Sequence, residues 1–238
     1  MPTPILYLPG LDGEARWIES TQQHLPGVEL VPFSYPTGHE LKWDELADLV
    51  ASRMKSLGSG LLIGESFGGA VTLKTTILRP EAVRGLCLIS SFSHEPEPVA
   101  SAIGRGASRL LPKVVLNPVA RLLAGWKLAG TLKGAEREKF LAYFEKLDHS
   151  ELARRLGLLA GLDVSDRLVG VRCPVEIIYG SRDSIAGAPA QLRMWQRLPD
   201  ARLRQLDGYG HMITQEVPIG VALRIEGWLQ RVEAARAA

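Results

Sequence analysis

The chain has 238 residues, 46% of them hydrophobic and 23% charged, which is enough apolar material for one sizeable core at a length that a three-layer α/β fold commonly fills as a single domain. A formal net charge of +2, with no aromatic-basic recognition motif and no heptad repeat, makes no case for a nucleic-acid partner or a coiled coil. Met1-Pro2-Thr3-Pro4 leads directly into apolar residues, with no basic segment followed by a long apolar stretch. This predicts neither a signal peptide nor a membrane span, and hence a cytoplasmic location.

Short apolar runs predict strands at residues 5–8, 29–33, 61–63, 85–89, 175–179 and 202–206. Most are continuously apolar, as strands buried on both faces should be; the last, Arg202-Leu203-Arg204-Gln205-Leu206, alternates and reads as a sheet edge. Between them, helix-period segments fall at residues 14–25, 43–57, 67–78, 190–198 and 218–232. Alternating strand and helix implies a parallel sheet with right-handed crossovers, whose ligands bind beyond the carboxyl ends of the strands. From about residue 95 to 162 no strand-like run occurs. Helix formers at amphipathic spacing over 114–132 and 136–162, broken by Pro112 and Pro118, predict an inserted helical lid.

Gly64-Glu65-Ser66-Phe67-Gly68-Gly69 follows the third apolar run and opens into a helical segment. A strand, a sharp turn through serine and a helix form a nucleophile elbow, in which the residues two before and two after the serine nearly touch and must be glycine. A serine hydroxyl needs a histidine to take its proton and a carboxylate to hold that histidine's tautomer. Asp183 follows the fifth predicted strand, and His211 follows the sixth within Asp207-Gly208-Tyr209-Gly210-His211. Ser66, Asp183 and His211 thus occur in the order expected for this arrangement, with Asp163, Asp166 and Asp207 as rival carboxylates. The loop after the first strand, Pro9-Gly10-Leu11-Asp12-Gly13, is placed to complete an oxyanion hole. Its donors are assigned as the backbone N–H groups of Leu11 and of Phe67, the residue after the candidate nucleophile. Asp12, unfavourable beside an oxyanion, is expected either to point away or, by preference, to cap the following helix.

Together these motifs resemble the α/β-hydrolase superfamily over nearly all of the chain outside the middle insert. Leu8-Pro9-Gly10-Leu11-Asp12-Gly13, taken with Gly64-Glu65-Ser66-Phe67-Gly68-Gly69, is similar to the branch that contains small carboxylesterases and the esterase-like acyltransferases of plant plastids. Two departures are visible: Pro9 stands where a histidine often precedes the oxyanion glycine, and no residues precede the first strand to form the usual antiparallel edge pair, which shortens the sheet. The resemblance implies a three-layer α/β-hydrolase fold with a mostly parallel six-stranded sheet, one domain over 1–238, and the lid at about 95–162. It also implies a serine hydrolase that cleaves carboxylic esters or thioesters through an acyl-enzyme on Ser66, with no cofactor and no metal. Acyl transfer from the same acyl-enzyme to an alcohol is the alternative within enzymes. A non-catalytic ligand-binding receptor on the same fold is the alternative outside them.

Within the insert, Arg105, Arg109, Lys113, Arg121, Lys127 and Lys133 fall in a stretch without acids. The plain expectation is a solvated or ion-paired face; the sharper one is contact with a phosphate-bearing acyl carrier or an anionic membrane surface. Trp126, Phe140, Tyr143, Phe144 and Leu147 are candidates for either the acyl pocket or simple core. Cys87 and Cys173 lack paired spacing and are expected as buried thiols. His24, His39, His94 and His149 have no partners suited to a metal and are expected at the surface.

Overall fold

The six strands form a single sheet in the order β2-β1-β3-β4-β5-β6, and every neighbouring pair is parallel. They are β1 (Thr3–Leu8), β2 (Val28–Pro32), β3 (Leu61–Glu65), β4 (Gly85–Ile89), β5 (Val175–Gly180) and β6 (Ala201–Leu206). The computed structural model describes residues 2–96, 121–122 and 124–237. Each strand lies within a few residues of its predicted position, and the sheet is wholly rather than mostly parallel. β3 continues past the predicted residue 63 because Gly64 and Glu65 keep their register with Leu88 and Ile89 of β4.

Period-2 alternation sorts the strand residues between two cores. Leu6, Leu8, Leu62, Leu86, Leu88, Val175 and Ile177 face one side, under α2 (Trp43–Leu57) and α3 (Phe67–Leu78). Ile5, Tyr7, Ile63, Cys87, Ile89 and Ile178 face the other, against Ile225 and Trp228 of the C-terminal helix. Strands buried on both faces have no polar side, which is why the central runs are continuously apolar. Two buried acids are exceptions: Glu65 ends β3, and Glu176 in β5 is ion-paired with Arg204 at 2.8 Å and Arg231 at 3.0 Å. Strand β6 is half exposed, as its alternation predicts.

The segment 14–25 departs from expectation. Instead of one helix it forms a 3₁₀ turn, Ala15–Ile18, and the short α1 (Glu19–Gln22). The Trp17 carbonyl accepts from the Gln215 side chain, and the Trp17 indole is turned back onto Asp12. The Gln215 contact, 198 residues away, therefore takes a carbonyl that a regular helix would have used locally.

Within the middle stretch, α4 (Gly134–Phe144) and α5 (His149–Leu159) are helical, with Asp148 capping α5 through the Ser150 N–H at 2.9 Å. No named strand lies among its described residues. The portion of the predicted insert from 97 to 120, with Pro112, Pro118, Arg105, Arg109 and Lys113, is outside the described residues. Ala124, Ala129, Leu132, Phe140 and Leu141 cluster with Met212, joining these helices to the residue after His211. Further α-helices among the described residues are α6 (Ala188–Trp195), α7 (Ile213–Glu216) and α8 (Pro218–Ala237). No helix among the described residues is long and apolar enough to cross a membrane. Cys87 and Cys173 are free, buried thiols. His24 and His39 are exposed, whereas His94 is half-buried because its backbone bridges to Asp163; the His149 side chain is outside the described set.

Candidate active site

Ser66 occupies the turn between β3 and α3 with φ 51° and ψ −116°, a conformation costly for any residue with a side chain. The turn closes because glycines flank it. A Cβ at Gly64 would stand 2.6 Å from the Gly68 carbonyl oxygen, and one at Gly68 would stand 2.0 Å from that of Leu8. The Ser66 N–H donates to the Ile89 carbonyl at 2.9 Å, and Ser91 Oγ donates to the Ser66 carbonyl at 3.0 Å, so β4 braces the strained residue.

Asp183 lies three residues beyond β5 and His211 five beyond β6, so parallel strands deliver both to the edge of the sheet where Ser66 emerges. His211 Nε2 is 3.0 Å from Ser66 Oγ, and its Nδ1 is 3.0 and 2.9 Å from the two Asp183 oxygens. Asp183 Oδ1 also accepts from the Ile185 and Ala186 N–H groups at 2.9 and 2.8 Å. Both side chains are buried. Burial opposes the Asp183 charge, but His211 and the two amides outweigh it and hold its carboxyl below the usual range. Burial likewise opposes a charged imidazole, yet Asp183, with Glu65 and Glu216 behind it, raises the His211 pKa above its ordinary value. The rival acids do not reach the histidine. Asp163 accepts from the Ser165 N–H at 2.9 Å, Asp166 faces Arg197 at 3.8 Å, and Asp207 accepts from Gln205 at 2.6 Å.

Phe67 begins α3, so its N–H is among those a helix leaves unsatisfied at its start. Leu11 lies in the loop after β1, where the Gly13 N–H closes a turn onto the Gly10 carbonyl at 3.0 Å. Leu11 and Phe67 line one cavity together with Ser66 and His211.

A profile of the alpha/beta hydrolase family matches residues 5–224. The chain belongs to that family. Two Pseudomonas proteins named "Putative carbamate hydrolase RutD" are each 30% identical to this hydrolase-family chain. The match spans 90% of both chains for the P. savastanoi pv. phaseolicola protein, but 68% of this chain and 65% of the relative for that of P. syringae pv. syringae. A pimeloyl-[acyl-carrier protein] methyl ester esterase of Aromatoleum aromaticum is 32% identical, over 70% of this chain and 72% of its own. Among solved structures, the enol-lactonase of Burkholderia xenovorans LB400 superposes with a TM-score of 0.83 at 15% identity, covering 97% of this chain and 92% of its own.

In this member of the alpha/beta hydrolase family the cavity beside Ser66 has a volume of about 240 Å³ and mostly apolar walls, among them Phe92, Phe140, Tyr143, Phe144, Leu156 and Met212. Of the five residues predicted as pocket or core, Phe140, Tyr143 and Phe144 line it. Trp126 and Leu147 do not; Trp126 is 66% exposed, with the Lys127 ammonium 4.6 Å above its ring. Arg121, from the basic stretch, is ion-paired with Glu138 and Glu145 at 3.1 and 3.0 Å, so acids downstream in α4 and just beyond it answer part of that charge.

Asp12 is not a helix cap. The following 3₁₀ turn has no side-chain cap, and Asp12 instead accepts from the Trp17 indole at 2.7 Å and the Tyr143 hydroxyl at 3.3 Å at the cavity wall. Burial pushes its carboxyl pKa up, against the lowering by the hydrogen bonds it accepts from Trp17 and Tyr143. Two further residues escaped the sequence reading. Glu65 is buried beneath Ser66, accepting from the Tyr7 hydroxyl and from Thr214 Oγ1 at 2.8 Å. Its place inside the elbow was the one signal available. Arg155, in α5, donates to the Leu11 carbonyl at 2.8 Å and carried no signal at all.

Proposed function

We propose that this chain is a serine hydrolase that cleaves carboxylic esters or thioesters through an acyl-enzyme on Ser66. The observation that carries the reading is the unbroken relay from Ser66 Oγ through His211 to Asp183, with contacts of 2.9 to 3.0 Å. Ser66 Oγ attacks the acyl carbon while His211 Nε2 takes its proton, and the Leu11 and Phe67 N–H groups receive the carbonyl oxygen as it becomes negative. The bond to the leaving oxygen or sulfur then breaks and His211 returns the proton to it. Water, deprotonated by the same imidazole, attacks the acyl-enzyme and releases the acid. Asp183 holds Nδ1–H throughout, so that Nε2 is the basic nitrogen.

The apolar cavity suits an uncharged acyl chain, and the relative named as a methyl ester esterase of a carrier-bound pimeloyl group supports ester cleavage. That relative and the basic stretch around Arg121 and Lys127 also support a carrier-linked substrate. Incubation with a fluorophosphonate should modify Ser66 rapidly, and Ser66→Ala and His211→Ala should abolish the modification. Turnover of p-nitrophenyl esters and acyl thioesters of graded length, with products analysed in water and in mixed water and alcohol, then separates hydrolysis from acyl transfer. No modification of the wild-type chain would refute the proposal and leave the receptor reading.

A further inference from the structure

The loop that offers the Leu11 N–H is pinned at three successive carbonyls. Tyr35 Oη donates to the Pro9 carbonyl at 2.8 Å, the Gly13 N–H to that of Gly10 at 3.0 Å, and Arg155 Nη1 to that of Leu11 at 2.8 Å. Arg155 comes from α5, in the insert, across 144 residues of sequence. It is only 6% exposed, and its Nε has no hydrogen-bond partner among the described residues. Its guanidinium lies against the loop so closely that a Cβ at Gly13, where φ is +78°, would stand 2.8 Å from it. The same guanidinium faces the Tyr35 ring at 5.3 Å, so two of the three pins support each other.

Burying a guanidinium carries a large desolvation penalty. Glu151, one turn earlier on α5, is engaged by Arg154 and by the Gly38 N–H at 2.9 Å. What Arg155 does hold is the peptide that follows Leu11. The amide plane between Gly10 and Leu11 is fixed by the turn onto Gly13, and rotation of the next plane would open that turn. A cation at this depth also lies where solvent screening is weak.

We propose that Arg155 is a positioning residue for the reaction: from the helical insert it locks the Leu11 peptide so that the Leu11 N–H is aimed at the oxyanion before substrate arrives. The inference rests on the serine-hydrolase reading above. It makes the insert a structural part of the oxyanion hole as well as a cover over the cavity. It also predicts a loss confined to the transition state, because the acyl pocket does not include Arg155.

The test compares wild type with Arg155→Met, which keeps the stem and removes donor and charge, and Arg155→Lys, which restores the charge and one donor. The measurements are kcat, KM, melting temperature and affinity for a trifluoromethyl ketone, whose adduct with serine carries the oxyanion. Misplacing a reacting geometry by about 1 Å costs on the order of 100-fold. Arg155→Met should therefore lose roughly 10- to 100-fold in kcat with KM changed less than about twofold, and ketone affinity should fall in parallel. Arg155→Lys should lie between the two. A kcat for Arg155→Met within about twofold of wild type, a loss that appears in KM, or no advantage of Lys over Met would overturn the inference. If Arg155→Met does not fold, Arg155→Lys decides: a several-fold loss in kcat at constant KM supports the inference and an unchanged kcat overturns it. Ser66 labelling and ester turnover of the wild type are measured first. Their absence sinks the hydrolase reading and this inference with it, whereas their presence with an indifferent Arg155 sinks this inference alone.

Discussion

Asp183→Asn separates orientation of His211 from mere support of the loop. Asp183 Oδ1 accepts from two backbone amides, Ile185 at 2.9 Å and Ala186 at 2.8 Å, and lies 3.0 Å from His211 Nδ1, whereas Oδ2 faces Nδ1 alone at 2.9 Å. An asparagine has one acceptor oxygen and one donor NH₂. The two amides demand the oxygen, so the NH₂ takes the place of Oδ2, the atom nearer to Nδ1 at 2.9 Å. Nδ1 then accepts, the ring proton moves to Nε2, and the nitrogen 3.0 Å from Ser66 Oγ becomes a donor instead of a base. Replacing the orienting carboxylate of such a triad by an amide lowers kcat by about 10⁴, or roughly 5.4 kcal/mol of barrier. Above the raised His211 pKa, stability should change little, because both amides keep their acceptor. Asp183→Ala, which leaves them unpaired, should cost about 1–3 kcal/mol for each buried donor. The assay is kcat on a p-nitrophenyl ester with thermal melts of both variants. An asparagine variant that retains more than about a tenth of wild-type kcat would refute the tautomer argument.

A histidine base works only when neutral and the His211 pKa is raised, so under the proposed mechanism the acid limb of kcat/KM should lie above the unperturbed imidazole value of about 6.5; a limb at or below it refutes the assignment. The same pair should shape stability. The raised histidine contributes stability that is complete below its unfolded value and lost as pH rises through the folded one. The depressed aspartate contributes stability that is present above its unfolded value and lost as pH falls through the folded one. The melting-temperature advantage of wild type over Asp183→Asn should therefore be greatest between about pH 4 and 6.5, and a flat difference across pH 3 to 9 would contradict it. Gly64→Ala brings a methyl group to 2.6 Å from the Gly68 carbonyl oxygen. Reaching an ordinary contact of about 3.5 Å requires roughly 0.9 Å of movement at the elbow. That predicts a loss of order 100-fold in kcat with about 1–3 kcal/mol of stability, measured by turnover and denaturant melts, and an unimpaired variant would show the turn to be looser than described.

The amino-acid sequence by itself determined the features set by local physics. Gly64 and Gly68 announced a turn too tight for Cβ atoms, uninterrupted apolar runs announced strands buried on both faces, and the order Ser66, Asp183, His211 followed from their places after successive strands. Helices at 43–57 and 67–78 carry their own periodicity and form where it predicts. Tertiary structure decided whatever depends on a partner far along the chain. Nothing near Trp17 reveals that Gln215, 198 residues away, takes its carbonyl and leaves the helix predicted at 14–25 broken. Asp12 looked like a cap because caps are local, but its carboxylate is taken by the Trp17 indole five residues on and by a phenol 131 residues on that only folding supplied. Arg155 reads as one more helix arginine until folding lays α5 across the oxyanion loop. Buried polar groups must find partners, and which partners they find is set by the path of the whole chain.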